Sequence, residues 1–472
     1  MRPIVLSSIA ALVLLSLASS VSAQESQFAS DLRREGEHVA ESCNSIKPTT
    51  LGGCAYTLIT GYPFHVAIGS LAPQNGFAFG AALSERYTPN ESWRITFSAD
   101  AVASMSGSYR GGAYMKFVHT PGLGIVVRQP GAAAASRAIV PRELPVIDVF
   151  TQTTSLDTIN YFGQGQQSTE AGRSVFAERQ TLVGGSVVYP LSDVPGLARL
   201  RPALLAGMTG RFIDIDPGRV DDVPSIDEKY SAATAPGLDR QNGFVEFREG
   251  IRFKPSIANG WLQFNYVVSA QQFRTSRESQ SSFNRWTIDL RHEIPLYRGA
   301  SSTGPREFNG PNECSQSTGS PACPAVQLSR NRQGSISLRL FMSTSSTADG
   351  NQVPFYLQPT LGGSDINGER LLASFDDYRF RGPNLLALQE SIEHSLWGPV
   401  GLFAMAEQGK VAVERGDLGF GGMATSATVG LTLRAGGFPM VNLSFSWGTE
   451  GHHIIGTIDS SLLGGSARPS LF

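Results

Sequence analysis

Four cysteines and seven histidines limit the chemistry that this 472-residue chain can carry. The cysteines form two local pairs, Cys43 with Cys54 and Cys314 with Cys323, each close in sequence and flanked by turn formers. Thiols spaced in this way close loops as disulfides in an oxidising compartment. Zinc binding is the rival chemistry, but neither pair has C-x2-C spacing, and only His38 lies near either. His452 and His453 are adjacent, so on a strand they point to opposite faces and cannot jointly grip a metal. His292 and His394 lie in strand-like segments, and neither has a convincing serine partner for hydrolysis. No G-x-S-x-G elbow, H-E-x-x-H helix or P-loop occurs. Gly163-Gln164-Gly165 is too short for a dinucleotide fingerprint and reads as the start of a strand. The expectation is a non-enzymatic chain with no cofactor and no metal.

The elements that carry these residues begin with an export signal. Met1-Arg2-Pro3 precedes an apolar run from Ile4 to about Ala18, and Val21-Ser22-Ala23 supplies the small-x-small cleavage pattern. Residues 1–23 are therefore read as a signal peptide, 24–75 as a short N-terminal segment, and 76–472 as one domain. Ser26–Ser42 has the spacing of one weakly amphipathic helix, placed in the periplasm or inside the domain that follows. Pro48–Pro73 reads as irregular chain tied by the first cysteine pair. After the signal peptide no apolar run reaches the ~18 residues of a membrane-spanning helix. The 38 basic and 40 acidic residues give a net charge of −2, which argues against a nucleic-acid partner.

Short segments of period two recur from Phe77 onward. Trp93, Ile95, Phe97 and Ala99 oppose Arg94, Thr96 and Ser98; Tyr109, Ala113, Met115 and Phe117 oppose Arg110, Tyr114 and Lys116. Phe244, Glu246 and Arg248 alternate with Val245 and Phe247. Trp286, Ile288 and Leu290 alternate with Thr287, Asp289 and Arg291, and Ile336, Leu338, Leu340 and Met342 with Ser335, Ser337, Arg339 and Phe341. Charged residues at alternate positions between aromatics suit a wall with a wet lumen and a lipid face, although a soluble sandwich would alternate too. The chain carries 51 glycines and 26 phenylalanines. Long connections (Arg128–Arg142, Asp214–Asn242, Ser301–Gln327) and tight ones such as Thr88-Pro-Asn-Glu91 predict long loops outside and short turns in the periplasm. Roughly 400 residues accommodate about sixteen tilted strands. The fold class expected is an all-β transmembrane antiparallel barrel with a short helical and irregular N-terminal segment. Tyr87, Trp93, Trp261, Trp286, Trp397 and Trp447 read as its interfacial girdle. Ile454, Gly456 and Ile458 read as the closing strand, with a tail from Ser460.

The segment Tyr356-Leu-Gln-Pro-Thr-Leu-Gly-Gly-Ser-Asp365, continuing through Arg379-Phe-Arg-Gly-Pro-Asn-Leu-Leu386, resembles the bacterial surface antigen superfamily. That group of outer-membrane barrels includes the BamA and TamA assembly proteins and two-partner secretion transporters. Trp397-Gly-Pro-Val-Gly-Leu-Phe403, Glu407-Gln-Gly-Lys-Val411 and Ala427–Arg434 extend the match, and Asn160-Tyr-Phe-Gly-Gln-Gly165 is similar to the family's strand start. The motif residues are Leu361, Gly362, Gly363, Phe380, Gly382 and Gly409. The resemblance implies a loop folded back into the lumen, with an arginine at its tip against acidic wall residues. Here Ala373, within Leu372-Ala373-Ser374-Phe375, stands where that arginine belongs, and the wall motif reads Met405-Ala406-Glu407-Gln408-Gly409. Ser391 aligns with a family glutamate, and Glu393 shares its face. Arg370, Arg379 and Arg381 are then the residues that would pair with Glu407 or Glu393. Only about fifty mature residues precede Phe77, too few for the family's periplasmic POTRA modules.

What the resemblance implies is an outer-membrane protein of a Gram-negative-type bacterium, engaged in outer-membrane protein assembly or translocation. Its partners would be outer-membrane lipid and unfolded client membrane proteins or other assembly factors. A passive diffusion pore and a structural outer-membrane protein are the alternatives.

Overall fold

A computed structural model of the protein describes residues 27–44, 53–55, 57–59, 61–120, 143–191, 199–257, 262–275, 281–302, 329–365, 370–397, 400–435 and 438–458. The expected signal peptide, the Arg128–Arg142 connection, Trp261 and the tail from Ser460 lie outside the described residues. So do Cys314 and Cys323, and with them the second expected disulfide; among the described residues the one disulfide is Cys43–Cys54. Contacts divide the chain into two compact units, Met1–His65 and Val66–Phe472.

In the first unit, α1 spans Gln27–Ser42, as the spacing predicts. Cys43 follows it directly and is bonded to Cys54, as its spacing predicts. Glu35 reaches from the helix to accept the Tyr62 N–H at 3.0 Å, and Thr57 Oγ1 lies 3.0 Å from Ser42 Oγ. Among its described residues the disulfide and these polar contacts tie the helix to the chain that follows it.

Among the described residues sixteen strands longer than two residues follow. They are β1 (Phe64–Ser70), β2 (Phe77–Asn90), β3 (Trp93–Ser104), β4 (Tyr109–His119), β5 (Val146–Tyr161), β6 (Ser174–Pro190), β7 (Pro202–Pro217) and β8 (Phe244–Phe253). The second half contains β9 (Leu262–Arg274), β10 (Phe283–Ser302), β11 (Ser329–Thr347), β12 (Asn384–Trp397), β13 (Val400–Ala412), β14 (Ala424–Ala435), β15 (Phe438–Gly448) and β16 (Gly451–Ile458). From β2 to β16 each strand pairs antiparallel with the next. The strand order brings β16 round to stand next to β2. The class is therefore all-β, an antiparallel barrel wall.

The two faces of the wall differ as the period-two pattern requires. Arg110, Tyr114, Thr209, Arg211, Glu246 and Thr287 are buried on the inner face. Met115, Leu204, Met208, Phe212, Phe247, Trp286 and Leu338, at the alternate positions, are exposed on the outer one. So wide an exposed apolar band needs a lipid or protein covering. Trp93 opens β3 and Trp397 closes β12, at one end of the wall; Trp286 and Trp447 lie near the other.

Four readings of the sequence need correction. Pro48–Pro73 is not wholly irregular, because Phe64-His-Val-Ala-Ile-Gly-Ser70 pairs into the sheet as β1. Gly163 and Gly165 do not start a strand; they follow the exit of β5 at Tyr161, with φ of +100° and +85°. Such left-handed backbone turns the chain sharply out of a strand and is open to glycine. The Asp214–Asn242 connection is shorter than expected, because β7 continues to Pro217 and a single helical turn, Ile226–Lys229, follows. Long and short connections also do not separate between the ends. The tight β2–β3 turn shares its end with the β4–β5 and β10–β11 connections, whereas β7–β8 and β11–β12 turn at the opposite end.

Candidate functional site

The described residues of the β11–β12 connection, 348–365 and 370–383, fold inward against the wall. Its entrance is a short 3-10 turn, Phe355–Leu357, with all three side chains buried. Phe355, Tyr161 and Phe176 meet edge to face, at centroid distances of 5.3 and 5.1 Å. Burying this much aromatic surface is the main force that holds the connection inside. Thr360–Leu361 then pairs with Phe380–Arg381 in a two-residue ladder that pinches the base of the loop.

Above the pinch, the backbone is held in an unusual shape. Gly362 (φ +103°) and Gly363 (φ +57°) accept this turn readily, while Leu372 (φ +60°) and Tyr378 (φ +63°) adopt left-handed conformations that side chains disfavour. Four backbone bonds close the turn: Gly362 N–H to Leu371 O, Gly363 N–H to Leu372 O, Leu371 N–H to Gly363 O, and Tyr378 N–H to Gly362 O. Leu361, Leu372, Phe375 and Phe380 pack with Phe341, Leu385 and Val411 of the wall in one buried cluster. A Cβ on Gly409 would stand 2.8 Å from Leu361 Cδ1, so a side chain at this wall position would have to displace Leu361 within the cluster. The Asp377 carboxylate accepts the Ser364 N–H at 2.9 Å. Burial pushes its pKa above the ordinary aspartate range, and the Ser364 and Arg370 contacts only partly offset this.

The tip meets the wall through backbone rather than through a charged side chain. Ala373 N–H donates to Glu407 Oε2 at 2.9 Å, and Gln389 Nε2 donates to Glu407 Oε1 at 3.0 Å. Ser374 N–H donates to Ser426 Oγ at 3.0 Å. Alanine at position 373 thus retains a link to the wall acid, through the one donor every non-proline residue has.

Arg379 and Arg381 take other partners than those expected, while Arg370 faces Glu407. Arg379 donates to both carboxylate oxygens of Glu450, in the β15–β16 turn, at 2.7 and 2.9 Å. It also donates to Ser168 O and Oγ, and its guanidinium stacks on Phe162 and Phe380. Arg381 donates to Phe355 O at 2.9 Å, with Tyr161, Phe176 and Phe355 around it within 6.0 Å. Arg370 makes a long 3.4 Å bond to Ser364 Oγ while facing the charges of Asp377 and Glu407. Glu393 sits half-buried opposite Ser335 and Phe403; on β12 it is Gln389 that bonds Glu407. Gly382 N–H donates to Pro359 O, beside the pinch.

Glu450, Ser168, Ser426 and Gln389 were not singled out from sequence. Gln166 belongs with them, because its Oε1 accepts the Val411 N–H at 3.0 Å, while Gly165 N–H donates to Arg381 O at 2.7 Å. The β5–β6 turn therefore braces the inward loop from the opposite side. The histidines bond tyrosines: His292 to Tyr266 at 2.8 Å and His394 to Tyr297 at 2.6 Å. His452 contacts the Phe445 ring, whereas His453, on the other face, lies 3.9 Å from Asp376.

No protein-family model matches the chain, and no curated protein does. Among solved structures the chain is similar to BamA from Haemophilus ducreyi lacking POTRA domains 1-3. That likeness has 9% sequence identity and a TM-score of 0.44, over 84% of this chain and 70% of that one. The chain is also similar to CdiB from Escherichia coli, at 12% identity and a TM-score of 0.47, over 84% of this chain and 61% of that one.

Proposed function

We propose that the chain is an outer-membrane barrel of a Gram-negative-type bacterium that acts in the assembly or translocation of other proteins at that membrane. The outward apolar band and the tryptophans at both ends of the wall support the membrane reading, and the export signal expected at residues 1–23 agrees with it. The single observation that carries the functional reading is the 348–383 loop, packed inside the wall and gripped at Glu407 and Glu450. A pore gains nothing from a strained obstruction bonded to its wall, whereas a device that must open on a client needs a defined closed state.

In this reading β16, with eight residues the shortest of the strands β2 to β16, offers a short ladder next to β2. Glu450 at its start ties the loop to that edge. Release of Arg379 would then loosen the loop and the edge together, exposing strand hydrogen-bonding groups to an incoming client strand. Lipid is the constant partner, and unfolded membrane proteins or assembly factors are the transient ones.

The test is depletion in the source cell, read as loss of other outer-membrane proteins, together with conductance in planar bilayers. Loss of other barrels on depletion, with a non-conducting purified protein, supports the reading. A stable open channel unchanged by deletion of residues 362–380 identifies a diffusion pore instead, and neither phenotype identifies a structural surface protein.

A further inference from the structure

Glu390 is the seventh of the fourteen residues of β12, and its exposed side chain points outward from the wall. Its cross-strand neighbours on that face are Leu338 of β11 and Ala406 of β13, both exposed. Leu388 and Ile392, two residues to either side, share the face. An acid thus stands midway along a strand whose outward neighbours are apolar. Its carboxylate meets no hydrogen-bond or ionic partner among the described residues. Hydrocarbon does not solvate a carboxylate, so an ionisable side chain at this depth is rare unless a partner answers its charge.

The surface beside Glu390 is low. Ala404, Ala406 and Ala427 are the outward side chains next to it on β13 and β14, so another molecule can approach the wall closely. Gln408, diagonally opposite on β13, is exposed too and adds a second polar contact. Glu249 is the contrast. It is outward, exposed and sixth of the ten residues of β8, but Phe247, Met208 and Trp286 stand up around it. A second copy of this chain has no idle cation to offer. On its described outer face Arg179 is paired with Asp214, Arg274 with Asn284, Lys410 with the Gly421 carbonyl, and His292 with Tyr266.

We propose that the outward face of β11–β13 centred on Glu390 is a docking surface for another membrane-spanning protein, one that presents a lysine or arginine at the same depth. The pairing gives each charge the counterion that lipid cannot supply. The three alanines let the partner's apolar surface close around the pair and keep lipid away from it. This inference rests on the membrane reading of the wall and is independent of any role in assembly or translocation.

The probe is dicyclohexylcarbodiimide, which partitions into hydrocarbon and adds to carboxyl groups that it meets there. It is applied to membranes of the source cell, and to the purified full chain at low density in vesicles of lipid from those membranes; adducts are located by peptide mass spectrometry. Glu249 is expected to be labelled in both preparations, and Glu390 in the vesicles, with loss of the Glu390 label in the native membranes. Ala406→Trp, which raises the surface beside Glu390, is expected to restore that label in native membranes. Glu390→Gln keeps the size and removes the charge. It is expected to lose the higher-mass band that the parent chain forms in native electrophoresis of mild-detergent extracts. Equal labelling of Glu390 in both preparations, or a band unchanged in Glu390→Gln, overturns the proposal. Loss of the label in vesicles as protein density is raised overturns it in favour of a second copy. Absence of label at both glutamates in vesicles places the wall outside hydrocarbon, and the membrane reading falls with the proposal. If Ala406→Trp does not reach the membrane, the comparison of the two preparations still decides.

Discussion

Arg379 and Glu450 are 71 residues apart in sequence, yet their side chains meet in a two-pronged ion pair with Nε–Oε2 at 2.7 Å. The guanidinium is 2% exposed and the carboxylate 27%, so solvent screens this contact little from the loop side. Arg379→Ala leaves Glu450 and Ser168 O without their donor. Breaking a buried pair costs about 3–5 kcal/mol, and the partial exposure of Glu450 places the expected loss toward the lower end. The measurement is a double-mutant cycle with Glu450→Ala on unfolding in denaturant, with protease nicking between 362 and 380 as a local readout. Coupling of about 1–3 kcal/mol is expected. Additive effects within about 0.5 kcal/mol would mean that the pair does not hold the loop.

The tip depends on one backbone donor. Ala373→Pro removes the N–H that bonds Glu407 and should expose the loop to protease while leaving the wall's strand content unchanged by circular dichroism. Ala373→Gly keeps the N–H and should behave close to the parent chain. Ala373→Arg, which restores the residue type expected at this position, must fit a long cation into a site that is 1% exposed, and overpacking costs about 1–3 kcal/mol. A stabilised Ala373→Arg protein would show that Glu407 is better served by a side chain than by backbone.

How much of this was legible in the sequence follows from which physics each feature uses. The alternation of Phe244, Glu246 and Arg248 with Val245 and Phe247 is written one residue at a time, because a strand turns its side chains over at every step. The α1 helix is likewise local. β1 escaped notice because seven residues between Pro63 and Pro73 are too short for the period to rise above noise. The partners of the arginines escaped for another reason. Glu450 belongs to a turn whose position relative to Arg379 is set by the whole wall, and no spacing rule connects them. Ala373 carries no side-chain signal at all, since its contribution is the amide that every neighbour also has. The glycines after Tyr161 were visible, but their type alone does not separate a strand's entry from its exit.

Gly363 is held by close approach as well as by its φ of +57°. A Cβ there would collide with Asp377 Oδ1 and lie 2.8 Å from Asp377 Cα, and one on Gly362 would lie 2.5 Å from Asp376 O. Gly363→Ala should therefore cost about 1–3 kcal/mol from backbone strain and crowding, and should expel Asp377 from its bond with Ser364. Gly419, where an added Cβ would meet no other residue within 4 Å beyond its chain neighbours, serves as the control, and Gly419→Ala should change thermal unfolding little. Equal effects of the two substitutions would show that the turn above the pinch tolerates a different shape.

Asp377 and Glu143 predict opposite responses to pH. Burial, larger than the opposing Ser364 and Arg370 contacts, raises the Asp377 carboxyl above its unfolded value of about 3.9. The folded chain then holds a proton that the unfolded chain has released. This contribution is fully present below pH ~3.9 and is lost as pH rises through the folded value. Burial also raises Glu143, but the Lys254 and Arg252 contacts, at 2.9 and 2.8 Å, outweigh it and lower its pKa. That contribution is present above the unfolded value of about 4.3 and disappears as pH falls through the folded one. Asp377→Asn keeps an acceptor for the Ser364 N–H, so it should flatten the decline in unfolding temperature on the rising side of pH 4. Glu143→Gln should flatten the decline on the falling side. Scans of both variants from pH 3 to 7 in one detergent separate the two, and an unchanged profile for Asp377→Asn would place its carboxyl in solvent rather than against the loop.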